Sequence, residues 1–179
     1  MSQAIQTTSA ADRTFTSFRP RPSAGWAWLL VMAGVIGAVG VAPALAAGLS
    51  SGSVVLTLII TVPVALAFLT LAYWFPTMRY ELGREMLTLR YGPVLTYHIR
   101  LNEIRTVRRR TLSLTVWSTI RFPGIALFSV PYSDVGSVKM CATAALNDVL
   151  LIETDKEKYG ITPQDEAGFI NALQANMQG

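Results

Sequence analysis

Four arginines fall within six positions at RTVRRR, residues 105–110. A guanidinium carries its N–H donors in a planar fork that fits a phosphate or a carboxylate. Arg105, Arg108, Arg109 and Arg110, with Arg100 before them and Arg121 after, are therefore the candidate contacts for a headgroup or a partner. Three occupants compete for them: nucleic acid, membrane headgroups and plain water. No aromatic residue interleaves residues 105–110, and unpaired bases need stacking platforms as well as charge. Nucleic acid is therefore not expected. The other reactive residues are isolated. His98 is the only histidine, on the polar side of an alternating run with Thr96 and Arg100, and one histidine cannot build a multi-histidine metal site. Cys141 is the only cysteine. It falls with Lys139 and Thr143 on the side opposite Val138, Met140 and Ala142. A nucleophilic thiol needs a neighbouring base and a lowered pKa, and the sequence identifies no such base. No glycine-rich phosphate loop, metal-ligand spacing or serine elbow occurs. The sequence thus predicts no catalytic residue, no metal site and no cofactor, and the chain is not expected to be an enzyme.

The elements that position the arginines begin with a gap in charge. Residues 22–78 carry no charged side chain. Charged residues make up 15% of the 179-residue chain, against about 25% in soluble domains, and the deficit is concentrated in this stretch. A spanning helix needs about 20 apolar residues. Residues 26–47 and 53–75 each supply one, joined by the short polar turn GLSSGS, so the two spans run antiparallel. Arg13, Arg19 and Arg21 precede the first span; Arg79, Arg84 and Arg90 follow the second; the turn between them is uncharged. Basic flanks stay on the cytoplasmic side, which predicts an integral protein of the cell membrane (inner or plasma) with both termini in the cytoplasm. Trp26, Trp28, Tyr73 and Trp74 would share one interfacial belt. VAPALAAG has the small residues of a signal-peptide cleavage site, but cleavage there would still leave the second span to hold residues 77–179 in the cytoplasm. Neither span contains an ionisable residue, the usual mark of transport or proton relay. Ala33, Gly37 and Gly40 give the first span a small-residue side. This side packs on Ala65 and Ala72 or, alternatively, on a second copy of the chain.

After Phe75 the period changes to two. Met78, Tyr80 and Leu82, then Leu87, Leu89 and Tyr91, then Leu95, Tyr97, Ile99 and Leu101 alternate with polar residues and are separated by turns at Gly83 and Gly92–Pro93. The pattern predicts three antiparallel strands, each with one core face and one wet face. Leu112, Leu114 and Val116 alternate again. Residues 118–136, with Pro123, Gly124, Pro131 and Gly136, read as a long connection. Its many apolar residues (Ile120, Phe122, Ile125, Leu127 and Phe128) cover the edge of the domain or touch the membrane. NDVLLIET and KYGIT read as further strands. The chain ends in an amphipathic helix with Thr162 as cap, Pro163 at its first position and Asp165 three residues after the cap. Phe169, Ile170, Leu173 and Met177 share one face of that helix. The expected organisation is a tail over residues 1–24, a helical hairpin over 25–75 and a mainly-β domain over 76–179.

MRYELGREMLTLRYG, HIRLNEIRTV and the ending GITPQDEAGFINAL resemble the bacterial pleckstrin-homology-like (PH-like) families, in particular those with two transmembrane helices before the domain. The resemblance covers roughly residues 76–176. It implies a seven-strand barrel capped by a C-terminal helix, and it implies no catalytic residues. Eukaryotic members that bind phosphoinositides use spaced basic residues around the first hairpin. Here that hairpin is ELGREM, with only Arg84 at its turn. Charge in the domain is lopsided: residues 79–121 hold nine basic and three acidic side chains, and residues 122–179 hold three basic and seven acidic. The expected function is a non-enzymatic, membrane-anchored interaction or scaffold module that engages a partner protein. The alternatives are a module that senses anionic lipid and an accessory subunit of a membrane enzyme complex.

Overall fold

The apolar stretch folds as two helices. α1 spans Gly25–Ala47 and α2 spans Gly52–Trp74, 23 residues each. The computed structural model describes residues 15–47, 52–113 and 121–178. The flank at Arg13 and most of the GLSSGS turn lie outside them. At 1.5 Å per residue each helix is about 34 Å long. Both are long and apolar enough to cross a membrane. Leu29, Ala33 and Gly40 of α1 are buried in the hairpin, as are Val54 and Ala72 of α2. A Cβ on Gly40 would overlap the Thr61 side chain, so the two helices pack there only because residue 40 is glycine. Gly37 has open space where a Cβ would stand and is not part of that approach. The outer surface is apolar: Val31, Val35, Leu56, Ile59, Ile60 and Leu66 are all exposed. The threonine hydroxyls are satisfied inside the helix, Thr61 donating to the Thr57 carbonyl at 2.9 Å and Thr70 to the Leu66 carbonyl at 2.8 Å.

The rest of the chain forms two sheets and a helix. The first sheet has the order β1-β2-β3-β4, from β1 (Thr16–Phe18), β2 (Arg79–Leu82), β3 (Met86–Tyr91) and β4 (Leu95–Arg100), all antiparallel. The second contains β5 (Ile104–Arg110), β6 (Arg121–Phe122), β7 (Ile125–Tyr132), β8 (Gly136–Ala142), β9 (Val149–Thr154) and β10 (Lys158–Ile161). Its order is β5-β9-β10-β8-β7-β6, parallel only between β10 and β8. The three alternating runs after Phe75 become β2, β3 and β4, and their predicted core residues are buried except for the half-buried Tyr97. They meet Ile104, Ile125, Leu127, Cys141, Leu150, Ile152 and Ile161 of the second sheet in one core. α3 (Glu166–Gln178) inserts Phe169 and Leu173 into the same core.

The structure departs from the sequence expectations in several places. Residues 118–136 are not one long connection: β6 and β7 occupy 121–132, with turns at Gly124 (φ +85°) and Gly136 (φ +75°). Alternation hid β7 because both faces of the second sheet are covered. Ala126, Val130, Val138, Met140, Ala142, Val149 and Leu151 form a second core on the face away from the first sheet. Cys141, expected on a wet face, is therefore fully buried. Leu112 is buried in that second core without belonging to a strand, and Leu114 and Val116 lie outside the described residues. α3 begins at Glu166, not at Pro163. Thr162 is engaged elsewhere, its hydroxyl bonded to the Thr143 N–H at 2.8 Å and to the Thr143 hydroxyl at 2.9 Å. Asp165 caps instead, its carboxylate accepting from the Gly168 N–H at 2.9 Å. Met177 continues the face of Ile170 and Leu173 but is 45% exposed at the end of the helix. The described residues hold ten strands rather than seven, one of them from the segment read as a tail. β1 pairs with β2, and Phe18 meets Phe169 edge-on at 5.2 Å between ring centres.

Hairpin and domain are joined at several points. The Tyr91 hydroxyl donates to the Leu71 carbonyl in the last turn of α2. Gly92, at φ +49°, lies against the Trp74 indole, 2.9 Å from where its Cβ would stand. The Ser23 hydroxyl donates to the Gly124 carbonyl at 2.5 Å, which ties the entrance of α1 to the β6–β7 turn.

Candidate functional site: the arginine strand and its groove

RTVRRR is strand β5, an edge of the second sheet, because β9 is its single sheet neighbour. A register shift between Ile104 and Thr106 makes Arg105 an extra residue against β9. Its side chain then forks onto Asp155, with Nε and Nη2 donating at 2.7 and 2.8 Å. The fork holds the Asp155 carboxyl below the ordinary range. Beyond the bulge, alternation separates the remaining arginines. Arg108 donates to Glu153 at 3.1 Å. Arg109 turns the other way, toward the start of α3, and reaches Glu166 at 2.6 Å and Asp148 at 3.7 Å. Arg110 forms no ion pair among the described residues. The basic half of the chain thus faces the acidic half across β5 and β9, and three of the four arginines have carboxylates of their own chain. That fourth occupant, neither water, lipid nor nucleic acid, is invisible in a local reading because its carboxylates lie far along the chain.

The other candidates are spread out. Arg100 ends β4, largely exposed, 3.9 Å from Glu103. Arg121 starts β6, at the opposite end of the sheet order from β5. Arg100 and Arg105 do come together in a groove of about 550 Å³ beside β5. Arg84 and Glu85 of the first hairpin line it with them, as do Met86, Leu101, Ile104 and, from α3, Asn176 and Met177. A narrower extension of about 170 Å³ runs on between residues 104–107 and the Ile170, Leu173 and Met177 side chains. The Asn176 amide donates to the Gly83 carbonyl at 3.1 Å, fixing the helix end over the hairpin. Glu85, Met86 and Asn176 are lining residues that the sequence did not single out, and Arg84 and Met177 were noted there only at the hairpin turn and on the helix face. The unbranched Met86, beside the ELGREM turn and outside the alternating core set, was the available signal.

Other titratable groups are used in joining the sheets. Lys139 pairs with Glu157 at 2.5 Å, and the Tyr159 hydroxyl donates to the same carboxylate at 2.5 Å. The ammonium lies 5.6 Å from the Tyr97 ring centre and 5.9 Å from that of Tyr159. The Lys139 and Tyr159 hydrogen bonds hold the Glu157 carboxyl below its usual range. Burial pushes the Cys141 thiol up to about 12, leaving no thiolate near neutral pH. His98 faces Thr88, with Nδ1 and the hydroxyl 3.2 Å apart. Among the described residues no group of three or more histidines, cysteines or carboxylates is placed to hold a metal ion.

A family model described as Bacterial PH domain matches residues 78–177. The chain belongs to the bacterial PH domain family. The match runs from the start of β2 through nearly all of α3 and covers more than half of the chain, with the helical hairpin upstream of it. Comparison with curated proteins and with solved structures finds no match. In this PH domain β1 comes from outside the matched residues, so the helical hairpin is an insertion in sequence between two paired strands of the first sheet.

Proposed function

We propose that the chain is a membrane-anchored interaction module, non-enzymatic, which holds a PH domain at the cytoplasmic face of the cell membrane. One observation carries this reading. The two helices turn their apolar side chains outward, and only 6% of the most apolar stretch of α2 is buried. A helix of a soluble core buries such a surface; here lipid is the solvent that matches it. The arginines on both flanks, with no charge between them, support the orientation with both termini inside. A tether confines the domain to a layer beneath the membrane and raises its effective concentration toward anything else held there.

The groove between β5, the first hairpin and the end of α3 is the partner site in this reading. Three arginines and one glutamate line it, with two methionines as adaptable apolar contacts. The occupant is an acidic segment of a partner protein. The test is affinity purification of the full-length chain from solubilised membranes beside an Arg84→Glu/Arg100→Glu variant. Proteins held by the first and lost by the second are the groove's partners; identical sets from the two would refute the site.

A further inference from the structure

A second cationic cavity lies where the hairpin joins the domain. It has a volume of about 550 Å³. Arg19 and Arg21 line it from the segment before α1, Phe75, Thr77 and Arg79 from the segment after α2, and Gln164 from the approach to α3. Three arginines and no carboxylate face it. Arg79 has one carboxylate partner, Glu81 at 2.8 Å from Nε. Arg21 stands 4.0 Å from Asp148 and 3.9 Å from Glu166, at the limit of an ion pair. Arg19 has none among the described residues. Most of the guanidinium donors therefore remain open to an anion, and the Gln164 amide adds a neutral one; the Thr77 hydroxyl is spent on the Trp74 carbonyl at 2.6 Å.

Depth identifies the anion. The bilayer's hydrocarbon is about 30 Å thick and the whole bilayer about 40–45 Å, which leaves headgroup slabs of about 5–8 Å on either side. Helices of 23 residues fill the hydrocarbon. Phe75 directly follows α2, and Arg21 and Arg19 stand just before α1. The exposed Trp26, Trp28 and Tyr73 mark the same level. The cavity thus opens into the headgroup slab, with an apolar wall from Phe75 and the neighbouring prolines. We propose that it binds a phosphate ester, presented by the headgroup of an anionic phospholipid. The site is at the opposite end of β2 from the ELGREM hairpin. It rests on the reading of the helices as a membrane anchor.

Native mass spectrometry of the full-length chain released from nanodiscs tests this, with phosphatidylcholine alone or mixed with phosphatidylglycerol. The wild type keeps one phosphatidylglycerol, and a Lys156→Gln control, an exposed change in the turn between β9 and β10, keeps it equally. Arg19→Gln, an exposed change that breaks no ion pair among the described residues, weakens retention about fivefold, and Arg19→Gln/Arg79→Gln about 25-fold, at roughly one basic contact each. The Arg19→Lys/Arg79→Lys variant keeps part of it. Equal retention of the two lipids, or retention indifferent to Arg19, overturns the proposal. Glycerol phosphate is the soluble arm: if it binds the chain in phosphatidylcholine discs through the same arginines while phosphatidylglycerol is not held, the membrane source is refuted. Alkaline carbonate extraction separates the two readings. A chain that stays in the membrane but does not discriminate lipids sinks only the headgroup site; a chain that is extracted sinks the anchor.

Discussion

Replacing Tyr80 with phenylalanine removes one oxygen atom from the place where three parts of the molecule meet. The Tyr80 ring is fully buried in β2, the first strand after the helical hairpin. Its hydroxyl donates to the Cys141 carbonyl of β8 at 2.8 Å and accepts from the Thr162 N–H, at the end of β10, at 3.3 Å. Burial raises the phenol's pKa far above its usual value, so it keeps that proton at any ordinary pH. Phenylalanine preserves the packing and leaves one buried N–H without an acceptor and one carbonyl short of a donor. An orphaned buried group costs about 1–3 kcal/mol. The carbonyl has a second lone pair, so the Thr162 N–H dominates and the total is about 2 kcal/mol. For a domain of this size that lowers Tm by about 8 °C. The assay is urea and thermal unfolding of the full-length protein in one fixed detergent, followed by near-ultraviolet circular dichroism, with Tyr73→Phe on the exposed hairpin surface as control. A loss below about 0.5 kcal/mol, or the same loss in the control, would refute the claim that this hydroxyl holds the first sheet to the second.

Gly92→Ala should loosen the junction. Alanine is strained at φ +49° and its Cβ meets the Trp74 ring, a cost of about 1–3 kcal/mol, read as a shift in tryptophan emission and faster proteolysis after α2. Alkali should unfold the domain. Burial raises the Cys141 thiol and Tyr97 to about 12, and raises Tyr91 and Tyr159 as well. The unfolded chain therefore loses these protons first. Stability is full below the ordinary thiol and phenol values and falls as pH rises toward the folded ones, and Cys141→Ala should delay its onset in a pH series of melts. Acid acts through Glu157, whose folded pKa is depressed. Its contribution is present above the ordinary carboxyl value and is lost as pH falls through the folded one, so Glu157→Gln should flatten the acid limb of the same series.

How far the sequence exposes this fold depends on how many faces of each strand are covered. β2, β3 and β4 have one wet face, so Tyr80, Leu82, Leu87, Leu89, Tyr91 and Ile99 announce themselves by alternation and are buried as expected. In the second sheet Ile125, Ala126 and Leu127 are buried in succession. Period two vanishes there, leaving only the prolines and glycines to suggest a loop. Phe128 adds to this by its left-handed backbone (φ 65°) and packs against the same core as Leu127. β1 was illegible because TSF has no pattern of its own; it exists through pairing with β2 and through Phe18 on Phe169. The candidate site was half legible. Local spacing finds the arginines of β5, but their carboxylates lie far along the chain, and pairing between β5 and β9 brings them together. The cavity at the junction combines residues from both sides of a hairpin more than 50 residues long, so no local window could contain it.

The central claim is that two bare apolar helices hold this PH domain on the cytoplasmic side. Paired fusions after Gly179 test it most directly: alkaline phosphatase, active only outside the cytoplasm, and a fluorescent protein that matures only inside it. The account predicts fluorescence at the membrane fraction and no phosphatase activity. Phosphatase activity without fluorescence, or fluorescence that stays soluble after cell breakage, would contradict it.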